Sequence, residues 1–276
     1  MKEISLEELK KLELDILTFV ADFCDRNGIV YYLCGGTMLG ALRHNGFIPW
    51  DDDIDIMLMR KDYERLISEF PKHDYYKVID NRIDNNYPFA FATVNDIRTY
   101  KKENKLRKRY TKCLCVNVDV FPIDTVPTND KDIKTFFDKV ARQGNKLKCA
   151  TDCYGQGVGI WGTIRKNIAI FIFRCMELLR FQKPEDIVEQ FRILAQSHNE
   201  EDSPYCGITS IAHYGAKEVN PKDNYGVVKH QFEDKEFNII SGYDRYLSQL
   251  YGNDYMSLPP EEKRRTHHAS NCYWRL

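Results

Sequence analysis

Four aspartates fall within five positions of the stretch FIPWDDDIDIMLM, which covers residues 47–59. In a strand, alternate side chains share a face, so Asp53 and Asp55 would point one way and the neighbouring isoleucines the other. The two carboxylates would then stand about 7 Å apart along the strand. Oxygen ligands of this kind suit a hard divalent cation, Mg²⁺ or Mn²⁺, which would also relieve their repulsion. The alternative is a solvated acidic turn, but the apolar continuation Met57–Met59 favours a buried strand.

A third carboxylate stands in CVNVDVFPID (residues 115–124), where valines alternate with Asn117, Asp119 and Phe121. The alternation predicts a strand with one buried face, and Asp119 projects from the other face. If this strand neighbours the first, Asp119 completes a three-carboxylate cluster; otherwise it is a strand-end aspartate facing water. Asp124 follows a proline and is expected to cap a loop.

The sequence CGGT lies between a predicted strand over residues 29–34 and a predicted short helix over residues 38–44. Gly35 and Gly36 let the backbone approach a ligand closely. The first N–H groups of the helix favour an anion such as phosphate, and Thr37 is expected to cap that helix. Metal-binding carboxylates beside a phosphate site are what phosphoryl transfer requires.

These candidate groups need a sheet to hold them, and the first 128 residues alternate between strand-like and helix-like segments. The pattern predicts an α+β fold in which helices flank a mixed β-sheet. From residue 129 the sequence becomes mainly helical, with a β-hairpin predicted around Glu233. We therefore predict a catalytic core over 1–128 and an acceptor- or substrate-binding region over 129–276, or one compact domain. The helices predicted in the second half cover residues 130–148, 160–181 and 184–198.

Composition narrows the functional class. The chain has 276 residues, 43% of them apolar, and a formal net charge of −1, which argues against global disorder and against binding to nucleic acid. The apolar run IAIFIF (168–173) is much shorter than the ~20 residues that span a bilayer. The N-terminal sequence has no signal-peptide pattern, and the nine cysteines include no CxxC pair. We therefore expect reduced thiols and a cytoplasmic location, with association at the cytoplasmic face of the membrane as an option.

Three stretches, GGTMLGALRHNGFIPWDDDIDI, VDVFPID and YGNDYMSLPPEEKR, together resemble the LicD family. This is a family of bacterial phosphocholine transferases related to the fukutin group of the nucleotidyltransferase superfamily. The superfamily pattern hG[GS], Dh[DE]h and h[DE]h corresponds to Cys34–Gly36, Asp53–Ile56 and Val118–Val120. The gap between the glycines and the first aspartate is longer than the usual superfamily gap, and a LicD-like insert occupies it.

The resemblance implies a nucleotidyltransferase-like sheet and a reaction. Phosphocholine would pass from CDP-choline to a sugar hydroxyl of a lipid-linked teichoic acid or lipopolysaccharide precursor, releasing CMP. Asp53, Asp55 and Asp119 would be the catalytic residues and would hold Mg²⁺ or Mn²⁺; Asp119 could also accept the acceptor's proton. One alternative is transfer of another phospho-alcohol or sugar phosphate from a different nucleotide to a cell-surface glycan. Another is an inactive binding or scaffold protein, against which the three intact carboxylates argue.

Further donor-binding candidates surround these groups, beginning with Gly35, Gly36 and Thr37. Arg43 is expected to pair either with the diphosphate or with Asp51 or Asp52. Asp52 is also expected to influence the site without being one of the metal ligands. Trp50 is expected either to stack on the base or on choline, or to pack in the turn. Choline, a quaternary ammonium, needs aromatic faces, but the sequence does not locate them.

Weaker candidates lie later in the chain. Glu233 resembles the family pattern. His267 and His268 could bind a metal, but the aspartates already supply oxygen ligands, so phosphate contact or simple packing is expected. Seven of the twelve residues from 101 to 112 are basic, which indicates either a solvated loop or attraction to an anionic acceptor or membrane. The apolar helix over 163–181 is expected to be buried, with contact at the inner membrane surface as the alternative.

Overall fold

A computed structural model of the chain describes residues 2–264 and 271–275. Its α-helices are α1 (Leu6–Asn27), α2 (Gly35–His44), α3 (Arg60–Glu69), α4 (Asp130–Thr151), α5 (Gly159–Leu178), α6 (Pro184–Ala195) and α7 (Tyr243–Tyr251). Its strands are β1 (Tyr32–Leu33), β2 (Asp55–Met59), β3 (Tyr76–Ile79), β4 (Ala92–Asp96), β5 (Thr99–Lys102), β6 (Val116–Thr125), β7 (Tyr205–Ile208), β8 (Asn220–Pro221), β9 (Val227–Phe232), β10 (Lys235–Ile240) and β11 (Asn271–Trp274). This mixture confirms the predicted α+β class.

The central sheet has the order β1-β2-β6-β4-β3, and β7 pairs with β6 and carries β8. β2 and β6 are parallel, whereas the other pairs in this sheet are antiparallel. Two parallel neighbours need a long crossover connection, which here includes α3 and three further strands. The sheet is therefore mixed, as predicted, and its only parallel pair among the described strands joins the two aspartate-bearing segments.

Helix α1 covers this sheet for a reason visible in its sequence. The Ser5 side chain accepts a hydrogen bond from the Glu8 N–H (3.2 Å), and Gly28 ends the helix in the left-handed region at φ 60°. Between these ends, apolar residues at helical spacing form one buried face. That face includes Leu9, Leu12, Ile16, Leu17 and Val20.

The second half is mainly helical, as predicted. Helices α4 to α6 begin within one residue of the predicted positions and enclose a second apolar core, which includes Phe137, Val140 and Phe191. The predicted hairpin around Glu233 is β9–β10. The strand predicted over 29–34 is shorter and covers only Tyr32–Leu33. Division of the chain at residue 128 stays a prediction.

Two further features involve the chain as a whole. Near the C-terminus, β11 pairs with β5, a pairing that local pattern did not predict. Among the described residues, no helix is both long enough and apolar enough to cross a membrane.

Candidate active site

The site begins with the register of the two parallel strands. Asp55 of β2 is the direct partner of Asp119 of β6, and the Asp119 N–H donates to the Ile54 carbonyl (3.0 Å). Neighbouring strands lie about 4.8 Å apart, and side chains at one register point to the same face. The flanking residues Ile54, Ile56, Val118 and Val120 are fully buried on the other face. The structure therefore brings Asp55 and Asp119 side by side, as the sequence predicted for neighbouring strands.

Asp53 lies just before β2, because the strand begins at Asp55 rather than at Asp53. The predicted alternation still holds, since Ile54 is buried while Asp53 and Asp55 are partly exposed. Burial raises the pKa of the Asp55 carboxyl well above its ordinary value, and the charges of Asp53 and Asp119 raise it further. The three carboxylates therefore act on one another electrostatically.

The segment Cys34–Thr37, which contains the two glycines, is hydrogen-bonded to the backbone of Asp55. Helix α2 begins at Gly35, so both glycines lie in its first turn, and Gly35 has φ 51°, a conformation that suits glycine. The Cys34 N–H donates to the Asp55 carbonyl (3.1 Å), and the Asp55 N–H donates to the Thr37 hydroxyl (2.9 Å). The predicted cap was wrong: Cys34 is the N-cap residue, and Thr37 anchors the strand instead.

Asp51 lies against the start of α2. A Cβ added to Gly36 would stand 2.9 Å from Asp51 Oδ2, so a residue larger than glycine would displace that carboxylate. A negative charge at this position suits the positive end of the helix dipole. Its neighbour Asp52 is buried, with 6% of its surface exposed. The acidic run thus approaches the same helix end at which the sequence predicted a phosphate.

Glu13 and Lys101 join the aspartates, and sequence reasoning missed both. Glu13 of α1 is 2% exposed, and burial raises its pKa well above the ordinary value, partly opposed by Lys101. Burial lowers the pKa of Lys101, but Asp119 and Glu13 more than offset this, leaving a net rise. The signal for Glu13 was present, since an acidic residue stood within the apolar face of α1.

Three tyrosines from the second half flank Gly35. The Gly35 N–H donates to the Tyr246 hydroxyl (3.3 Å). The Tyr251 hydroxyl lies 3.8 Å from the position that a Cβ on Gly35 would occupy. The Tyr214 hydroxyl donates a hydrogen bond to the Tyr251 hydroxyl (3.1 Å). The Tyr214 and Tyr251 rings meet edge to face with centroids 5.8 Å apart. Seventeen tyrosines in the sequence gave no basis for choosing these three.

Arg43 and Trp50 contact residues outside the two aspartate-bearing strands. Arg43 donates to the carbonyls of Tyr255 (2.9 Å) and Ser257 (3.2 Å), so its guanidinium holds the 255–257 segment. Trp50 is partly buried, with the His44 ring edge-on at 6.3 Å and the Arg264 guanidinium 5.6 Å from its ring. Packing is thus visible for Trp50, and its role toward a ligand stays a prediction.

Glu233 lies at the turn of the β9–β10 hairpin, at φ 56°. Its carboxylate accepts the Phe47 N–H (3.0 Å), and its own N–H donates to the Asn45 carbonyl (2.7 Å). These bonds fasten the loop that leads into the acidic run. His267 and His268 lie outside the described residues.

The carboxylate oxygens of the aspartates are ligands that suit a divalent cation, but these side chains do not surround a metal ion by themselves. Among the described residues, no three His, Cys, Asp or Glu side chains are grouped closely enough to hold a metal. Mg²⁺, however, commonly binds one or two carboxylates and completes its shell with water and substrate phosphate. Asp55 and Asp119 offer two carboxylates on one face, and a cation would relieve the repulsion that raises the pKa of Asp55.

Comparison with known proteins gives an independent line of evidence. Residues 28–146 match the family described as LicD/FKTN/FKRP, nucleotidyltransferase domain. The chain is 32% identical over 280 residues to the lipopolysaccharide cholinephosphotransferase LicD of Haemophilus influenzae, with 99% of each chain covered. An uncharacterised protein of Rickettsia prowazekii is 33% identical over 132 residues, 44% of this chain and 46% of the relative. The ribitol 5-phosphate transferase FKRP of Mus musculus is 41% identical over 44 residues, 16% of this chain and 9% of the relative.

These matches agree with the motifs and with the fold. The family region from residue 28 to residue 146 contains Gly35, Asp55 and Asp119, the residues that meet at the edge of β2 and β6. The similarity to the Haemophilus protein extends over nearly the whole chain, so it includes the helical second half as well. The chain therefore belongs to the LicD family of phosphotransferases.

Proposed function

We propose that this chain transfers phosphocholine from CDP-choline to a sugar hydroxyl of a cell-surface glycan precursor, of the teichoic acid or lipopolysaccharide type, and releases CMP. The observation that carries the proposal is the parallel register that sets Asp55 beside Asp119, next to the start of α2. The full-length similarity to a cholinephosphotransferase supports the choice of choline and of a glycan acceptor.

In this reaction the acceptor oxygen forms a bond to the choline-bearing phosphorus, and the bond from that phosphorus to the oxygen of CMP breaks. Asp55 and Asp119, with Asp53 next to them, would hold Mg²⁺ or Mn²⁺ together with water and the donor phosphates. When bound, such an ion neutralises charge on the diphosphate and on the leaving CMP. The Thr37 hydroxyl keeps Asp55 in place through its backbone N–H. The hydroxyl proton of the acceptor passes to Asp119 or to water.

Lys101 and the start of α2 complete the proposed anion environment. Lys101 is a cation beside Asp119, so it offsets part of the acidic charge before a donor phosphate arrives. The N–H groups in the first turn of α2 add positive potential on the glycine side. These groups allow a negatively charged donor to approach a site that contains several carboxylates.

For the choline group we propose the Tyr214–Tyr251 pair. A quaternary ammonium donates no hydrogen bonds and is attracted to aromatic faces. These two rings are half-buried beside Gly35, and burial, the neighbouring Tyr214 and the charge of Asp55 raise the pKa of Tyr251. Aromatic surface next to the carboxylates is where the choline end of a bound donor would lie.

A second candidate function is transfer of a different phospho-alcohol, or of a sugar phosphate, from another nucleotide. The specific observation behind it is the similarity to a ribitol 5-phosphate transferase over 44 residues. The two candidates share the aspartate site and differ in the group that the donor carries. A donor panel with CDP-choline and CDP-ribitol, read as CMP release, separates them.

The test of the proposal compares Asp55→Asn and Asp119→Asn with Asp74→Asn, an exposed aspartate outside the site. CMP release from CDP-choline is measured with Mg²⁺ or Mn²⁺ and a purified lipid-linked glycan. The two site variants should lose at least about a hundredfold in kcat, because metal-bound charge stabilisation contributes several kcal/mol. The Asp74 variant should retain its activity. Full activity in Asp55→Asn, or CMP release only with another donor, would reject the proposal.

A further inference from the structure

Helix α5 presents an apolar stripe on its exposed side. The stripe consists of Ile160, Trp161, Ile164, Ile168, Phe171 and Ile172, and it continues in the same direction to Leu178. Steps of three and four residues place these side chains on one face. Trp161 is 78% exposed and Leu178 is 83% exposed, so the expectation that this helix is buried was wrong for this face.

The opposite face of α5 attaches the helix to the protein. Ile170 and Phe173 are buried there, and Phe173 belongs to the apolar core around α4 and α6. Single exposed apolar residues are ordinary, but a contiguous apolar surface along a helix of about 30 Å indicates an interaction surface. The stripe is therefore held in place by packing on its other side.

The charges around the stripe indicate the kind of partner. Residues 153–184 contain five basic residues and a single acidic one, Glu177, which gives a formal charge of +4 (5 − 1). Glu177 forms ion pairs with Arg107 (2.8 Å) and Arg109 (3.7 Å), so its charge is already neutralised within the protein. The bases in this segment are Arg165, Lys166, Arg174, Arg180 and Lys183. Lys166 is paired with Asp152 (3.4 Å), and the exposed bases that could meet a partner are Arg165, Arg180 and Lys183.

The basic segment over 101–112 is hydrogen-bonded to the connection between α4 and α5. The Arg107 N–H donates to the Thr151 carbonyl at the end of α4 (2.8 Å), and the Cys153 N–H donates to the Lys105 carbonyl (2.7 Å). Lys105 and Lys108 are exposed. Two features that were separate in the sequence, the basic run and the apolar helix, are therefore neighbours in the fold.

From this combination we infer that the α5 stripe lies in the surface of an anionic lipid membrane, with its basic margins at the headgroups. An apolar face bordered by Lys and Arg, with Trp and Phe among its residues, is typical of helices that lie in the membrane plane. Tryptophan in particular favours the water–lipid boundary. The inference does not depend on which donor or acceptor the enzyme uses.

A second copy of the chain suits this surface less well. In a two-fold dimer the same patch meets itself, so the basic margins of the two copies would approach one another. Anionic headgroups attract those margins instead, by roughly fivefold in affinity for each base near the surface. Charge complementarity thus favours lipid over self-association.

The experiment is flotation of the full chain with vesicles of phosphatidylcholine alone and of equimolar phosphatidylcholine and phosphatidylglycerol. A stripe variant carries Trp161→Gln, Ile168→Gln and Phe171→Gln. A matched control carries Ile83→Gln and Ile193→Gln, two exposed apolar residues outside α5. Circular dichroism and melting temperature establish that each variant is folded.

We expect the wild type to float with the anionic vesicles and to be released by salt, because surface charge attraction is screened. The stripe variant should bind at least about tenfold more weakly, since the membrane-buried apolar area is lost. The control should match the wild type. A base variant with Arg165→Gln, Arg180→Gln and Lys183→Gln should lose about a hundredfold on anionic vesicles.

Three results would overturn the inference. The first is a wild-type chain that does not float, and the second is a stripe variant that floats as the wild type does. The third is a concentration-dependent dimer, measured by analytical ultracentrifugation, that the stripe substitutions dissociate. That result would assign the stripe to a second copy of the chain.

Discussion

Asp55 illustrates how much of a site depends on the backbone of a single residue. Its N–H donates to Thr37 and its carbonyl accepts from Cys34, so both backbone groups are bonded to the start of α2. These two bonds fix the position of the Asp55 backbone and so the direction of its side chain. Burial and neighbouring charges make the ionised form of that side chain costly. Thr37, which is 4% exposed, is in this sense a positioning residue.

A substitution at Thr37 tests this positioning role. Thr37→Val keeps the shape but removes the acceptor for the Asp55 N–H, leaving a buried donor unsatisfied at a cost of about 1–3 kcal/mol. We expect kcat for CMP release to fall about tenfold or more, because small displacements of a reacting group are expensive, while KM for the donor changes little. Thr37→Ser retains the hydroxyl and serves as the control. If both variants fall equally, the hydroxyl is not what positions Asp55.

At the scale of elements, β6 connects the candidate site to the rest of the sheet. Asp119 lies near its start, and Asp124, which is 1% exposed, lies near its end. The expectation that Asp124 caps a loop was wrong. Its carboxylate accepts two bonds from Arg60 (2.8 and 2.6 Å) and one each from Asn199 (2.7 Å) and Thr209 (2.9 Å). One carboxylate thus ties the start of α3, the turn after α6 and the residue after β7 to the same strand.

Removing the charge of Asp124 should lower the free energy of unfolding. Asp124→Asn removes the buried counter-charge of the Arg60 guanidinium, which is 16% exposed, and leaves it paired with the more exposed Glu64 (3.1 Å). Because breaking a buried ion pair typically costs about 3–5 kcal/mol and Glu64 remains, we expect a loss of about 3 kcal/mol. The control is Asp138→Asn, because the Lys134–Asp138 pair is exposed at 78% and 51% and such pairs contribute about 0–1 kcal/mol. Urea unfolding measures both. Equal free energies of unfolding for the two variants would contradict this view of β6.

The contrast between Asp55 and Asp124 shows what the sequence could predict. Alternation along a strand is a local signal, so it predicted the two aspartate-bearing strands and their polar face. The partners of Asp124 lie more than 60 residues away on either side, as separations of 64 and 75 show, and no local pattern encodes them. For the same reason, the apolar pattern of α5 predicted a helix but not which of its faces is covered.

At the scale of the whole molecule, the two halves of the sequence meet beside the site. Tyr246 and Tyr251 of α7 and Tyr214 approach Gly35, and β7 extends the sheet from β6. Beneath them, Glu218 is 2% exposed. Burial raises the pKa of Glu218 to about 8, with a smaller opposing effect from a hydrogen bond to Tyr246. Because of this buried acid, the stability of the region where the two halves meet depends on pH.

The sign of that coupling follows from the two states. With an ordinary value of 4.5 when unfolded and about 8 when folded, Glu218 holds its proton more tightly in the native state. Stability is therefore greatest below pH 4.5 as far as this group is concerned, and it declines as pH rises toward 8. The full effect is roughly 5 kcal/mol, from a difference of about 3.5 pH units at about 1.4 kcal/mol for each.

Glu218→Gln should remove this decline, because an amide does not ionise. Near pH 5 we expect the variant and the wild type to have similar free energies of unfolding, and near pH 9 the variant should be more stable by up to about 5 kcal/mol. Urea unfolding at both pH values gives the comparison, with Glu236→Gln, an exposed glutamate of β10, as the control. The difference between variant and wild type cancels the titration of other groups, such as Asp55, that are present in both. A difference that stays constant with pH would mean that Glu218 is ionised in the native protein and that its charge has a partner within the fold.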